Sequence, residues 1–251
     1  MRHSLSPAIF ELIGKHVRED VRYILLDVEA PGFAEAVSQA RGAGFAGLNV
    51  TIPHKAAALK VCHTLSKEAA EIGAVNVLKF GRGGTKGYNT DGPAMLDCLS
   101  GYALSGKRAV VFGAGGAARA VCWALGKARV RTVTVRNRTR PRAKKLTAHF
   151  SRIFPKTVFK TRAGSHADIW INATPASFRC PGKGELAMDL VYKPADTLFL
   201  KTAAKKGLRS IYGLDMLVFQ ALRSWDLFFS RLPDREGLRQ SLKRRLWRSV
   251  T

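Results

Sequence analysis

The stretch KRAVVFGAGGAARAVCWALGKA, residues 107–128, decides how the rest of the chain is read. It opens on a short apolar run, Arg108 to Phe112, passes through Gly113, Gly115 and Gly116, and continues with apolar residues at helical spacing. Gly113, Gly115 and Ala118 satisfy G-x-G-x-x-A between a strand and a helix, the context that pattern requires. Glycine lets the backbone approach a pyrophosphate, and the first helical turn offers free N–H groups and the positive end of its dipole. A tight strand-to-helix connection with no ligand uses the same residue types, but the complete strand–loop–helix context favours a dinucleotide.

Downstream, RTVTVRNRT (131–139) reads as the next strand and PRAKKLTAHF (141–150) as a helix. ADIWINATP (167–175) and MDLVY (188–192) read as further strands, and GLDMLVFQALRSWDLFF (213–229) as an amphipathic helix. Upstream, VRYILLDVE (21–29) and FAGLNVTI (45–52) read as strands, and FAEAVSQARGAG (33–44) as a helix with a glycine stop. PHKAAALKVCHTL (53–65) reads as a helix with proline at its start. GAVNVLKF and TKGYNTD form a strand pair around the turn GRGG, and PAMLDCLSGYAL (93–104) is a crossing helix. Alternating strands and helices throughout predict an α/β fold with parallel sheets, and a domain boundary near residue 92. No internal repeat or low-complexity segment appears.

The strand 131–139 ends in Asn137, Arg138 and Thr139, with no carboxylate. Dinucleotide folds that prefer NAD place an Asp or Glu there for the ribose hydroxyls, whereas an arginine pairs with a 2′-phosphate and stacks on adenine. The residues therefore predict NADP(H). One more surface arginine on a basic chain is the competing explanation.

Composition limits the field. The 251 residues are 46% hydrophobic, enough for one large domain or two small ones and far from a disordered composition. No run is long and apolar enough to span a bilayer, and MRHSLSPAIFE lacks the apolar centre of a signal peptide. Cys62, Cys98, Cys122 and Cys180 are scattered without metal-ligand spacing, which predicts reduced thiols in a cytoplasmic protein and no metal. The charge is unusual: 42 Lys and Arg against 18 Asp and Glu, a net +24. Such a balance suggests nucleic acid. The basic residues are instead spread along the chain, with a modest cluster in SLKRRLWRS and no accompanying nucleic-acid motif, so attraction of small anions is the expectation.

GLNVTIPHK, residues 47–55, places Asn49, Thr51 and Lys55 at the end of a strand, where a plain strand-to-helix turn needs none of them. A lysine gains nothing from the dipole at a helix start, a mild misfit that points to function rather than to a solvated side chain. His54 beside it reads as structural.

With these motifs in order the chain resembles the shikimate dehydrogenases. The segments are HSLSPAIFE, GLNVTIPHK, LSKEAAEIGAVNVL, GYNTDG, GAGGAARA, NRTRPRA, NATP, DLVYKP and GLDMLVFQA, and they cover nearly the whole chain. The resemblance implies NADPH-dependent, reversible reduction of 3-dehydroshikimate to shikimate in chorismate and aromatic amino-acid biosynthesis. It implies an N-terminal α/β substrate domain, residues 1–92 completed by helices in 214–251, and a Rossmann-like parallel-sheet NADP domain, residues 93–213. It assigns Lys55 to the reacting carbonyl and hydroxyl, with Asp91 as its partner. Ser4 and Ser6 would bind the substrate carboxylate, and Asn49, Thr51, Asn76, Tyr192 and Gln220 the ring hydroxyls and that carboxylate. The cofactor would lie on Gly113, Ala114, Gly115, Gly116, Ala117 and Ala118, on Asn137, Arg138 and Thr139, on Asn172, Ala173 and Thr174, and near Gly213 and Asp215. The resemblance leaves monomer or homodimer open.

The chain departs from the family pattern at four residues: Asp215 where the family motif has glycine, Ser177 where glycine is frequent, and Phe10 and Glu11 where His and Asn are usual. An aspartate at 215 would crowd or repel the cofactor. The family also has a strand before HSLSP, which predicts a substrate-domain sheet one strand smaller here. Two other classes compete: an NAD-preferring quinate/shikimate dehydrogenase, against which Arg138 argues, and a basic binding protein on a decayed dehydrogenase scaffold, against which the joint presence of Lys55 and Asp91 argues.

Overall fold

The computed structural model describes residues 4–162, 166–229 and 232–251. The chain divides into two compact units, Met1–Thr90 with Val218–Leu246, and Asp91–Leu217 with Trp247–Thr251. Among the described residues, no helix is long and apolar enough to cross a membrane.

The first unit contains helices α1 (Ser6–Val17), α2 (Phe33–Gly42) and α3 (Lys67–Ile72), a 3₁₀ turn at Ala57–Val61, and strands β1 (Gly47–Asn49), β2 (Thr64–Leu65), β3 (Val77–Gly81) and β4 (Gly84–Tyr88). Pro7 sits in the first turn of α1, and Ser66 caps α3 by accepting from the amide of Ala69. The sheet order is β1-β3-β4-β2. β3 and β4 form the hairpin that the turn residues predict, and β1 runs antiparallel to β3, so this sheet is mixed rather than parallel. The core between α2, β1 and β3 gathers Phe33, Val37, Val50, Ala58, Val75 and Leu78.

Two expectations fail here for physical reasons. Residues 21–29 form no strand. An apolar run becomes a strand only where a neighbour completes its ladder, and among the described residues β1 pairs only with β3. The segment is tied down by side chains and single carbonyls instead: Tyr23 packs on Phe10 at 4.8 Å between ring centroids, and the Val28 carbonyl bonds the His54 ring. Ile24, Leu25 and Leu26 are left 55%, 40% and 37% exposed. The helix expected from Pro53 is also displaced: turns cover residues 52–56, and only the 3₁₀ turn follows. The Lys55 carbonyl accepts from the amide of Val75 at 2.9 Å, so it joins the sheet rather than a helical ladder.

The second unit is built on six parallel strands: β5 (Arg108–Phe112), β6 (Thr132–Arg136), β7 (Val158–Lys160), β8 (Ile169–Asn172), β9 (Leu186–Asp189) and β10 (Arg209–Ile211). Their order, β10-β9-β8-β5-β6-β7, is that of a doubly wound dinucleotide fold with its switch point between β5 and β8. Helix α4 (Asp91–Leu99) leads into β5, and α5 (Gly116–Lys127), α6 (Arg140–Ile153) and α7 (Leu198–Ala204) connect β5 to β6, β6 to β7 and β9 to β10. Right-handed crossovers place α5 and α6 on one face and α7 on the other. Val110 accordingly shares a core with Phe199, Leu200 and Ala203 of α7. On that second face, over β6 and β7, the sheet stays open: Val158 is 57% exposed. Helix α8 (Gly213–Phe228) begins in the second unit and continues into the first, and α9 (Arg235–Trp247) follows it.

Candidate active site

In the first unit the ends of β1 and β3 bring polar groups together. Antiparallel pairing sets Asn49 opposite Val77, so Asn49 and Asn76 lie at one end of the sheet. The Asn76 carbonyl accepts from the amide of Val50 at 2.7 Å, and Lys55 is bonded through its carbonyl to Val75, the residue before Asn76. Asn76 is buried: its amide donates to Thr90 Oγ1, and its Oδ1 accepts from the Thr90 amide, both at 2.8 Å. The Thr90 hydroxyl lies 3.2 Å from Ser224 Oγ, which donates to the Gln220 carbonyl at 2.8 Å. Asn49, Asn76, Gln220 and the Lys55 backbone are thereby held at one end of this sheet.

Asn49 carries the most direct sign of a ligand. Its Nδ2 donates to the Tyr23 hydroxyl at 3.2 Å, while its Oδ1 is buried and bonds nothing among the described residues. A buried acceptor without a donor costs about 1–3 kcal/mol unless a bound molecule supplies one. Tyr23 also bonds the Ser6 side chain, and burial pushes its hydroxyl pKa up, so it stays a neutral donor. Ser4 caps the turn leading into α1 by accepting from the Ser6 amide at 3.3 Å. Thr51 is exposed, and its carbonyl accepts from the His54 amide. His54 is buried, stacked on Phe33 at 4.7 Å and bonded through Nε2 to the Val28 carbonyl, which is a structural position.

In the second unit the glycine loop leaves β5 at its carboxyl end. Gly113 has φ +113°, and a Cβ there would stand 2.9 Å from the Ala173 carbonyl, so only glycine fits. Gly115 caps α5 with nothing within 4 Å of a built Cβ, leaving room for a phosphate at the helix start. Arg138 and Thr139 are exposed beyond β6, and Asn137 Nδ2 donates to the Thr139 carbonyl at 3.0 Å. The residues present fit a pyrophosphate on the loop with a cation at the end of β6.

The neighbouring loop after β8 is fixed by a buried network. Asn172 Oδ1 accepts from the Thr174 amide at 3.0 Å and its hydroxyl at 2.7 Å. Asn172 Nδ2 donates to Asp189 Oδ1 at 3.0 Å, and Asp189 also accepts from the Val191 amide at 3.0 Å and the Thr197 hydroxyl at 2.7 Å. Burial holds the Asp189 pKa above the usual carboxylate range, against these hydrogen bonds. Tyr192 follows on the same loop, half-buried, with its hydroxyl pKa also raised by burial. Gly213 lies against it: a Cβ would come within 2.6 Å of the Val191 carbonyl. The Asp215 carboxylate turns back to accept from the Tyr212 amide at 3.4 Å, while its own amide donates to the Tyr212 carbonyl at 3.0 Å. It caps the start of α8. Asp91 is the buried first residue of α4, directly after Thr90.

The residues that motif reading passes over are Tyr23, Thr90, Ser224, Asp189 and Thr197. Thr90 and Asp189 stand inside GYNTDG and DLVYKP without being singled out there, and Ser224 stands four residues after Gln220 on one helix face.

A nucleotide-binding parallel sheet and a second α/β unit with a polar strand-end cluster define a two-domain NAD(P)-dependent oxidoreductase. The profile described as "Shikimate dehydrogenase substrate binding domain" matches residues 1–78, and that described as "Shikimate / quinate 5-dehydrogenase" matches residues 98–199. A shikimate dehydrogenase (NADP(+)) of Caldanaerobacter subterraneus subsp. tengcongensis is 33% identical over 97% of this chain and 93% of its own length. Among solved structures, the shikimate 5-dehydrogenase of Thermus thermophilus in complex with NADP(H) and shikimate is 35% identical, with a TM-score of 0.85 over 97% of this chain and 95% of that one. Quinate dehydrogenase from Corynebacterium glutamicum in complex with NAD is 28% identical, with a TM-score of 0.82 over 95% and 94%. The chain belongs to the shikimate dehydrogenase family.

Proposed function

We propose that this protein catalyses the NADPH-dependent, reversible reduction of 3-dehydroshikimate to shikimate. The observation that carries the substrate class is the buried, donorless Asn49 Oδ1 beside Asn76 and the Lys55 segment. A ring bearing several hydroxyls supplies such donors, and an apolar substrate does not. Residues 1–92 with 214–251 serve as the substrate domain and residues 93–213 as the cofactor domain.

NADPH, when bound, supplies the hydride. As negative charge grows on the carbonyl oxygen, the Lys55 ammonium stabilises it and delivers the proton. Asp91 orients that ammonium and holds a ring hydroxyl. Ser4 and Ser6 bind the substrate carboxylate; Asn49, Thr51, Asn76, Tyr192 and Gln220 fix the ring. Gly113 to Ala118 carry the pyrophosphate, Asn137, Arg138 and Thr139 the adenosine phosphate, and Asn172 to Thr174 with Gly213 and Asp215 line the nicotinamide side.

The second reading is an NAD-preferring quinate/shikimate enzyme, favoured by the likeness to the quinate dehydrogenase solved with NAD. Arg138, with no carboxylate at the end of β6, weighs for NADP. Reduction of NADP⁺ and of NAD⁺ by the purified protein, with shikimate and with quinate, decides. Faster turnover of shikimate with NADP⁺ is expected; faster turnover of quinate with NAD⁺ would overturn the proposal.

A further inference from the structure

The glycine loop uses the carboxyl ends of the parallel strands. The open face of the same sheet, from the amino ends of β5 and β6 to their middles, carries a second basic feature that the reaction does not use. On the face left open by α7, strand register sets Arg108 beside Thr132, and Thr134 between Val110 and Lys160. A depression of about 220 Å³ opens there, lined by Arg108, Arg131, Thr132, Thr134, Lys160 and His166 among others. Arg108 is held by Asp168, its Nη2 3.1 Å from Oδ1 and its Nε 3.2 Å from Oδ2. Arg131 and Lys160 make no ion pair among the described residues. Thr134 is 4% exposed, faces the depression, and its hydroxyl has no hydrogen-bond partner among the described residues. Val110, level with Thr134, stands three residues of extended chain, roughly 10 Å, before Gly113 of the glycine loop.

Thr134 presents to the depression a hydroxyl with no protein partner among the described residues, at a strand position that a valine would fill equally well. Here it lines the same hollow as Arg131 and Lys160, which has room for a phosphate group. We propose that this depression binds a phosphate group, with Thr134 donating to one oxygen and Arg131 and Lys160 flanking it. The site gives part of the net +24 charge a use that the cofactor loop does not explain. It does not depend on which substrate the enzyme reduces.

The test is calorimetric titration of the full chain with inorganic pyrophosphate at constant ionic strength. Thr134→Val keeps shape and strand preference while removing only the hydroxyl; Lys160→Ala removes one cation; Arg138→Ala alters the glycine-loop end instead. Thr134→Val and Lys160→Ala are each expected to weaken pyrophosphate about tenfold, the loss of one hydrogen bond to a charged group. Both should leave NADP⁺ binding and thermal midpoint unchanged, and Arg138→Ala should leave this pyrophosphate site intact. Titration with a short oligothymidylate then separates two sources of the same chemistry. Competition with pyrophosphate and weakening by the same variants assigns the phosphate to a nucleic-acid backbone; no competition assigns it to a small phosphorylated molecule. Wild-type affinity in Thr134→Val and Lys160→Ala, or loss only in Arg138→Ala, would overturn the proposal, as would equal, purely salt-dependent weakening in every variant.

Discussion

Replacing Asp215 by the glycine usual in the family tests whether its carboxylate serves the fold or disturbs the cofactor. Asp215 is the third residue of α8, and its side chain accepts from the Tyr212 amide while its amide donates to the Tyr212 carbonyl. Three losses follow from Asp215→Gly. The hydrogen bond is long, at 3.4 Å, so its removal belongs at the low end, about 0.5 kcal/mol. An acidic residue in the first turn contributes about 0.3–1 kcal/mol against the helix dipole. Glycine is a poorer helix former than aspartate by roughly 0.3 kcal/mol. The sum, about 1–2 kcal/mol, lowers the thermal midpoint by roughly 2–8 °C in a chain of this size. Cofactor affinity should stay within about threefold of the parent, since the carboxylate is engaged at its own helix start. Differential scanning fluorimetry and NADP⁺ titration measure both. An unchanged midpoint with tenfold tighter NADP⁺ would refute the capping argument and restore the expectation, drawn from the family pattern, that this aspartate crowds the cofactor.

Lys55→Ala should lower turnover by at least about 10²-fold, the low end for a positioned acid–base group, with a much smaller change in shikimate affinity; near-normal turnover removes Lys55 from the chemistry. Arg138→Ala should weaken NADPH by about 1.5–3 kcal/mol and NADH far less, and equal losses in the two titrations would mean that Arg138 does not read the phosphate. Asn49→Ala should reduce shikimate affinity about tenfold or more, since the acceptor that awaits a substrate donor is gone; unchanged affinity by equilibrium titration excludes Asn49 from the site. The raised pKa of Asp189 means the folded state binds this proton more tightly than the unfolded one. Its contribution is therefore fully present below the unfolded carboxylate value and is lost as pH rises through the folded one. The stability of wild type relative to Asp189→Asn should accordingly fall as pH rises from about 4 towards neutrality, and denaturant midpoints with the opposite slope would reverse the sign assigned to burial.

The second unit was legible because parallel strands buried on both faces read as continuous apolar runs. RAVVF and IWIN announce themselves, and the glycine loop fixes their order. The edge strands VFK and RSI did not, since three residues with one polar end carry no period. In the first unit the sequence pattern misled at residues 21–29. Alternation states that a segment suits a strand, but a strand exists only with a partner, and pairing is not a local property. The same limit separates the legible from the illegible part of the site. Asn49, Gly113 and Arg138 stand at or just past strand ends, and Lys55 in the turn that follows β1, where local context marks them as candidates. Tyr23, Thr90, Ser224 and Asp189 act through hydrogen bonds to distant partners: Tyr23 reaches Asn49 across 26 residues, Thr90 reaches Ser224 across 134, and Asp189 reaches Asn172 across 17. A serine in the middle of an amphipathic helix looks like a tolerated surface residue until the fold closes on it. Ser224 is fully buried and its hydroxyl serves Gln220 and Thr90 together, so the helix that completes the first unit also fixes the asparagine at the end of β3. A substitution there would loosen Asn76 without touching any residue that a motif names.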